Sequence, residues 1–549
     1  MRILPVPKIG ASQTPCNCAG FRPLTILTGR ISIFMHLFIG TLDFGGKGRL
    51  EFRNHGVKPS NFPTNYEHSK NEMPILTELP TSGWNTHGQA GINPANPSMN
   101  FKQTSLTCLA LAVALAVPKQ MRAADPPFWS WSPTPVMGWN SWDGFATTVT
   151  EAQTRAQAEV MNRLLAPHGW NLITVDIQWY EPNATGFEYR PGARLEMDEW
   201  GRLLPATNKF PSAANGRGFK PLADYVHSLG LKFGLHLMRG IPRQAVAAKT
   251  PVKGTRYTAA DIADTNSTSK WNTDMYGVDM TRPGAQEYYD SVFELFASWG
   301  LDFVKVDDLS RPYHQPEIEA IRRAIDRTGR EIVFSTSPGA TPLSAGDNIR
   351  EHANQWRISD DFWDSWPLLL AQFDRLRNWT PYRGPGHFPD ADMLPIGVLQ
   401  LGKSRTHFTH DEQFTLLTLW SIARSPLILG ADLTKLDDFT LGLITNDEVI
   451  AVDQASFNNR ELFHRDGFYG WSADVPGSPD KYLALFNARD QSTNRSETTL
   501  PVPVKFSELG LAGAGNIRDL WTHKNLGSFT NEFAPAIPFH GAGLYRVSP

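Results

Sequence analysis

The sequence predicts a (β/α)8 barrel followed by a C-terminal antiparallel β-sandwich, on three observations. From residue 135 onward, short apolar runs ending in polar or aromatic residues alternate with longer amphipathic stretches, the rhythm of parallel strands wrapped by helices. About eight such runs fit into 133–445, the number and length that a closed barrel needs. After residue 449 the rhythm changes to strand-like segments, such as 468–471, 481–486 and 543–547, separated by Gly, Pro, Asp and Asn, which predicts a sandwich over 449–549.

Ahead of the barrel lies a segment of another kind. Residues 99–124 read as a signal peptide: Met99, Lys102, an apolar run over 106–117, then Pro118 and small residues ending at Ala123 and Ala124. That run is too short to span a bilayer, so the expectation is export to a secreted or periplasmic location with no membrane span. A leader cannot act from so far inside a chain, so 1–98 are expected to be an early start or a disordered extension, with scattered Gly, Pro and Asn and no patterned apolar face. The three cysteines, Cys16, Cys18 and Cys108, all precede Asp125, so the predicted domains hold by their cores, without disulfides or thiolate metal sites.

The strands are placed, in order, at 136–142, 172–179, 232–238, 303–308, 332–337, 355–361, a weak run at 393–397, and 426–431. Helical periodicity falls between them at 152–165, 220–229, 285–299, 317–328 and 412–424. A composition of 41% hydrophobic and 19% charged residues over 549 positions is that of a folded soluble chain with more than one domain. The net charge of -3 supplies no basic field for a polyanion, and there is no zinc-finger spacing, so nucleic acid is not an expected partner. The 17 Trp suit stacking on the C–H face of a sugar as well as core packing.

A barrel enzyme carries its chemistry at the C-terminal ends of its strands. In the fourth run, the two-residue side-chain period puts Lys305 and Asp307 on one face and Val304, Val306 and Asp308 on the other. A carboxylate beside a lysine stays ionised, as a nucleophile must; the alternative is a helix-capping Asp307 paired structurally with Lys305. The same period in the sixth run aligns Arg357, Ser359 and Asp361 and turns Asp360 away. Two inward carboxylates from two strand ends are what glycoside hydrolysis with retention requires, one attacking the anomeric carbon and the other serving as acid and then base. No H-E-x-x-H, G-x-S-x-G or phosphate loop competes, and His407 with His410 lacks a third ligand, so neither metal nor cofactor is expected. Asp390 and Asp392 are assigned to sugar hydroxyls or loop shaping rather than to a cation.

With these residues in view, the chain from about Pro135 to its C-terminus resembles glycoside hydrolase family 27, the α-galactosidase and α-N-acetylgalactosaminidase family. Met137-Gly138-Trp139-Asn140-Ser141-Trp142 is similar to the family's first-strand motif, and Lys305-Val306-Asp307 to its K-x-D. Trp356-Arg357 with Asp361 and Asp364-Ser365-Trp366 is similar to the acid/base segment, and 389–394 and 424–427 to later segments. The resemblance implies Asp307 as nucleophile, Asp361 as acid/base, and Trp142, Asp176, Lys305 and Arg357 as sugar-binding residues, to which the reading above adds Asp392. It implies an exo-acting α-galactosidase working on oligo- or polysaccharides.

Three departures bear on which sugar is taken. The family's second-strand pair of aspartates, which grips the galactose 4- and 6-hydroxyls, reads Asp176-Ile177 here. His236 stands where a tyrosine is usual, either touching substrate or serving as a wall residue. Ser337 and Ala340 stand where α-galactosidases carry a glutamate for the 2-hydroxyl, a small pair that resembles the α-N-acetylgalactosaminidases; the loop-stapling cysteines are replaced by Leu309 and Thr336. The same mechanism on another sugar, as in α-N-acetylgalactosaminidases, β-L-arabinopyranosidases or isomalto-dextranases, is therefore the alternative reading. A carbohydrate-binding protein without turnover is a further one, and it would not need Lys305, Asp307, Arg357 and Asp361 together.

Overall fold

A computed structural model describes residues 125–337, 339–491 and 498–549. The expected signal peptide and extension, 1–124, lie outside the described residues. Everything described belongs to one compact unit, Leu115–Pro549.

Eight parallel strands form the barrel: β1 Met137–Asn140, β2 Leu172–Val175, β3 Lys232–Met238, β4 Phe303–Asp307, β5 Val333–Thr336, β6 Gln355–Arg357, β7 Phe388–Asp390 and β8 Leu427–Leu429. They hydrogen-bond in the order β7-β6-β5-β4-β3-β2-β1-β8. The ring closes just past β7, where Leu394 bridges Leu429 in parallel and its amide donates to Ile428 O at 2.7 Å. The seventh run expected at 393–397 is thus five residues late: β7 is the polar-ended Phe-Pro-Asp segment before it, and 394 supplies only the closing bridge. Apart from Lys232, every residue of β3 is buried, the unbroken burial of a strand covered on both faces.

Helices alternate with the strands: α1 Glu151–Val160, α2 Lys220–Ser228, α3 Ala285–Trp299, α4 Gln315–Arg327, α5 Gly346–Arg350, α6 Trp366–Trp379, α7 His410–Ala423, and a closing pair, α8 Asp438–Ile444 and α9 Asp447–Ala455. Their ends are written in the sequence. Thr150 with Gln153, and Thr409 with Glu412, form reciprocal capping boxes that start α1 and α7. Helix α3 stops at Gly300, whose φ of 88° lets the chain turn out of the helix without a Cβ clash. Trp139, Trp170, Trp179, Trp356 and Trp420 are fully buried around the barrel.

The β3–β4 connection carries an insertion built on a small antiparallel sheet of Ile241–Pro242, Ala263–Asp264 and Met275–Val278. The C-terminal region is a six-stranded antiparallel sheet of β9 Phe457–Arg465, β10 Phe468–Asp474, β11 Lys481–Asn487, β12 Ala514–Asp519, β13 Lys524–Thr530 and β14 Gly541–Ser548, in the order β9-β10-β11-β14-β12-β13. Two short strand pairs, Thr499–Pro501 with Ala536–Pro538 and Val504–Lys505 with Glu532–Phe533, cover it. One face packs on the barrel, where Trp471, Phe486 and Leu544 join the barrel core and Trp521 Nε1 donates to Thr418 Oγ1 of α7 at 2.9 Å. Among the described residues no helix is long and apolar enough to cross a membrane.

Candidate active site

The strand ends and the insertion line one cleft of about 1060 Å³ that holds Trp142, Asp176, Lys305, Asp307, Arg357, Asp361 and Asp392 together. Its floor is a chain of charges taken from the ends of β2, β4 and β6. Asp176, at the end of β2, accepts Asn140 Nδ2 at 2.6 Å and Lys305 Nζ at 3.0 Å on one oxygen, and the backbone amide of Ile177 at 2.8 Å on the other. Burial by itself raises a carboxyl's pKa, but Lys305, His236 and the Asn140 bond outweigh it, and Asp176 is held below its ordinary value. Burial by itself lowers an ammonium's pKa, yet the carboxylates of Asp176, Asp307 and Asp392 raise that of Lys305 above it. Lys305 is therefore a fixed cation beside Asp307.

Asp307 ends β4, with its carboxyl 7% exposed. His236, paired with Lys305 in the β3–β4 register, is wholly buried and puts Nε2 2.7 Å from Asp307 Oδ2. The ring is off line for an N–H···O bond, and Asp307 Oδ1 has no hydrogen-bonding partner among the described residues. His236 does not line the cleft; it stands behind Asp307, against that carboxyl. Immediately past Asp307 the backbone turns left-handed at Asp308 (φ 65°), and Arg239 clamps the turn, donating to Asp308 O at 2.8 Å and Asp308 Oδ2 at 2.7 Å. The turn brings Asp308 to the cleft as well, although the strand period assigns it to the opposite face.

On the far side, Arg357 at the end of β6 is almost fully buried and gathers the remaining groups. Its guanidinium reaches Asp392 Oδ2 at 2.6 Å, Ser337 Oγ at 3.4 Å and Asp361 Oδ1 at 3.4 Å. Asp392 Oδ2 also accepts the amide of Phe362 at 2.8 Å, which fixes the loop carrying Asp361. Burial raises the pKa of Asp392; Arg357 opposes the rise, and Asp361 and Asp390 add to it. Ser337 lies below the cleft, lining a cavity of about 20 Å³ inside the barrel with Lys305, Arg357 and Asp392, and accepts a hydrogen bond from Arg357. Asp361 is the open member, its side chain 59% exposed. Because β6 ends at Arg357, the alternation stops there: Asp360, placed on the other face by the period, also lines the cleft and pairs with Arg311.

Several lining residues were not singled out from the sequence. Tyr189 stacks on Trp142 with ring centroids 6.0 Å apart and planes at 6°, and Phe187 stands edge-on to Trp142 at 5.4 Å. Trp271, from the insertion, and Trp363 complete an aromatic rim. Asp143, next to Trp142, is 3% exposed, and burial, then Asp392, raise its pKa well above the ordinary value. Its Oδ2 has no partner among the described residues and lies against Gly430, where a Cβ would come within 1.9 Å of it. The Trp142-Asp143 adjacency was the signal available for it; the other residues sit in loops with no periodicity to read.

Buried cations flanking two carboxylates in an aromatic-rimmed cleft at a barrel mouth define a glycoside hydrolase. Residues 277–455 match the family model described as alpha galactosidase A, and 469–547 the alpha galactosidase C-terminal beta sandwich domain. A β-L-arabinopyranosidase of glycoside hydrolase family 27 from Geobacillus stearothermophilus is 48% identical, with 78% of this chain and 99% of that one covered and a TM-score of 0.75. A putative α-N-acetylgalactosaminidase from Bacillus halodurans is 44% identical over 76% of this chain and 97% of its own, with a TM-score of 0.68. The α-galactosidase of Coffea arabica is 29% identical over 76% of this chain and 94% of its own. The chain belongs to glycoside hydrolase family 27.

Proposed function

We propose that the enzyme is a retaining exo-glycosidase that removes terminal α-galactosyl residues from oligo- or polysaccharides, with Asp307 as nucleophile and Asp361 as acid/base. The observation that carries this reading is the pairing of a buried carboxylate beside Lys305, Asp307, with an open one, Asp361, in a single cleft. Asp307 attacks the anomeric carbon while Asp361 gives its proton to the glycosidic oxygen, and the aglycone leaves as an alcohol. Water then loses a proton to Asp361, its oxygen joins the anomeric carbon, and Asp307 departs, so the configuration is retained. Asp176 and Asp392 accept from sugar hydroxyls, Lys305 and Arg357 donate to them, and the Trp142 ring meets the C–H face. His236 and Ser337 act behind that layer, on Asp307 and Arg357.

One observation favours a second reading of the sugar. β-L-Arabinopyranose has the ring configuration of α-D-galactopyranose without the exocyclic C6–OH. Ile177 lines the cleft next to Asp176, where the family's second aspartate would hold that hydroxyl, and the 48%-identical relative is named a β-L-arabinopyranosidase. An isoleucine suits a sugar with nothing polar at C6. The segment 99–124 supports export of the enzyme. The test is hydrolysis of aryl α-D-galactoside, β-L-arabinopyranoside, α-N-acetylgalactosaminide and α-glucoside, with the first-formed anomer followed by NMR. Turnover of the first or second with retention is expected; inversion, or turnover of the α-glucoside alone, contradicts the proposal.

A further inference from the structure

We propose that Trp271 and Trp363 form an aglycone subsite that stacks the pyranose ring to which the departing sugar is attached. The inference rests on the reading above and deepens it: the preferred leaving group is itself a sugar, not a small alcohol.

The aromatic rim extends outward from Trp142, the ring assigned to the glycone. From Trp142, one branch runs through Tyr189 to Trp271, whose ring lies 5.3 Å from that of Tyr189 at 54°. The other runs through Phe187 to Trp363, at 6.0 Å and 70°. The cleft, at about 1060 Å³, is slightly larger than the pockets that hold drug-sized ligands, roughly 300–1,000 Å³. One pyranose leaves much of it empty.

Exposure points to the same place. Trp271 is 39% exposed, one of four large hydrophobic residues so open among the described residues, and it alone of the four lines the cleft. An indole left in water beside a catalytic cleft gains by covering its face, and the C–H face of a pyranose matches it in shape and polarity. Asn266 and Lys270, also exposed and lining the cleft, flank Trp271 with donors for ring hydroxyls. Direction fixes which sugar is meant. The acid that protonates the leaving oxygen must face the aglycone, and Asp361, the carboxyl assigned that role, lies open to the cleft two residues before Trp363.

The test compares kcat/KM for a methyl glycoside, which has no aglycone ring, with that for a disaccharide carrying the same glycone on a hexopyranose. Wild type, Trp271→Ala, Trp271→Phe and Trp363→Ala are measured, with folding checked by circular dichroism and oligomeric state by sedimentation. Wild type is expected to prefer the disaccharide, and Trp271→Ala to lower the disaccharide-to-methyl ratio five- to fifty-fold, with Trp271→Phe keeping most of it. A ratio unmoved by either alanine variant overturns the subsite while leaving the glycosidase reading intact. A change in oligomeric state with an unmoved ratio makes Trp271 an interface residue and also overturns it. Failure of wild type on both substrates, from folded protein, overturns the subsite together with the reading beneath it.

Discussion

Replacing Ile177 by aspartate tests how the cleft chooses its sugar. Ile177 is 1% exposed and lines the cleft, and its amide already donates to Asp176, so a carboxylate there points at the glycone with little access to water. With an α-D-galactoside bound, the new carboxylate accepts from the C6 hydroxyl, a charge-assisted bond worth about 1.5–3 kcal/mol. With a β-L-arabinopyranoside bound, it is buried with no partner, at a cost of about 1–3 kcal/mol. Taking about 2.5–4 kcal/mol, the lower part of the combined range, the ratio of kcat/KM for galactoside over arabinopyranoside should rise roughly 70- to 900-fold in Ile177→Asp. Paired aryl glycosides with one leaving group isolate the glycone, and a melting curve shows that the variant is folded. A ratio within threefold of wild type, or one that moves toward the arabinopyranoside, would refute the assignment of Ile177 to the C6 position.

Three other outcomes follow from the charges. Lys305→Met leaves Asp176, 1% exposed, without its cation, and should cost about 3–5 kcal/mol in chemical denaturation at neutral pH. The lowered Asp176 pKa gives wild type stability that is present above the unfolded value and lost as pH falls, so the gap between the two proteins should narrow in acid. Asp453, buried at the end of α9, is pushed up to about 8 by burial against the opposing pull of Arg424, Gln454 and Arg383. Its folded state binds the proton more tightly, so wild type should lose stability as pH rises from about 4 to 8, and Asp453→Asn should flatten that slope in melting curves taken across the window. Asp361→Ala should lower kcat/KM on an alkyl glycoside about 10²- to 10⁴-fold but much less on a glycoside with an acidic phenol as leaving group, and added azide should raise kcat on the latter, where the second step without its base limits turnover.

The sequence was most legible where one physical rule acts alone. Strand β3 and helix α3 appear at the positions their apolar patterns predict, because a strand buried on both faces and a helix ending in Gly300 leave no competing reading. Strand β7 was misplaced because Phe388-Pro389-Asp390 is too short and polar to show as an apolar run, while the more apolar stretch after it makes only a bridge. Lys305 and Asp307 came to one face by alternation within β4. Asp308 and Asp360 did not obey it, since the backbone leaves the strand at Asp307 and at Arg357 and side-chain alternation ends with the ladder. The sequence leaves His236 between two roles, and the β3–β4 register sets it behind Asp307, a cross-strand contact that no single segment encodes. The rim of Tyr189, Trp271 and Trp363 was hidden for the reason loops generally are: tertiary packing, not local pattern, brings them together.

The central claim, that Asp307 forms a covalent bond to the sugar, is tested most directly by trapping. A fluorinated glycosyl fluoride of galacto configuration, which slows the second displacement, is incubated with the enzyme, and the labelled peptide is sequenced by mass spectrometry. The account predicts one sugar per chain, on Asp307 within β4, and no label in Asp307→Ala. A label on Asp308 or Asp361, or steady turnover to the inverted anomer with no adduct at all, would contradict it.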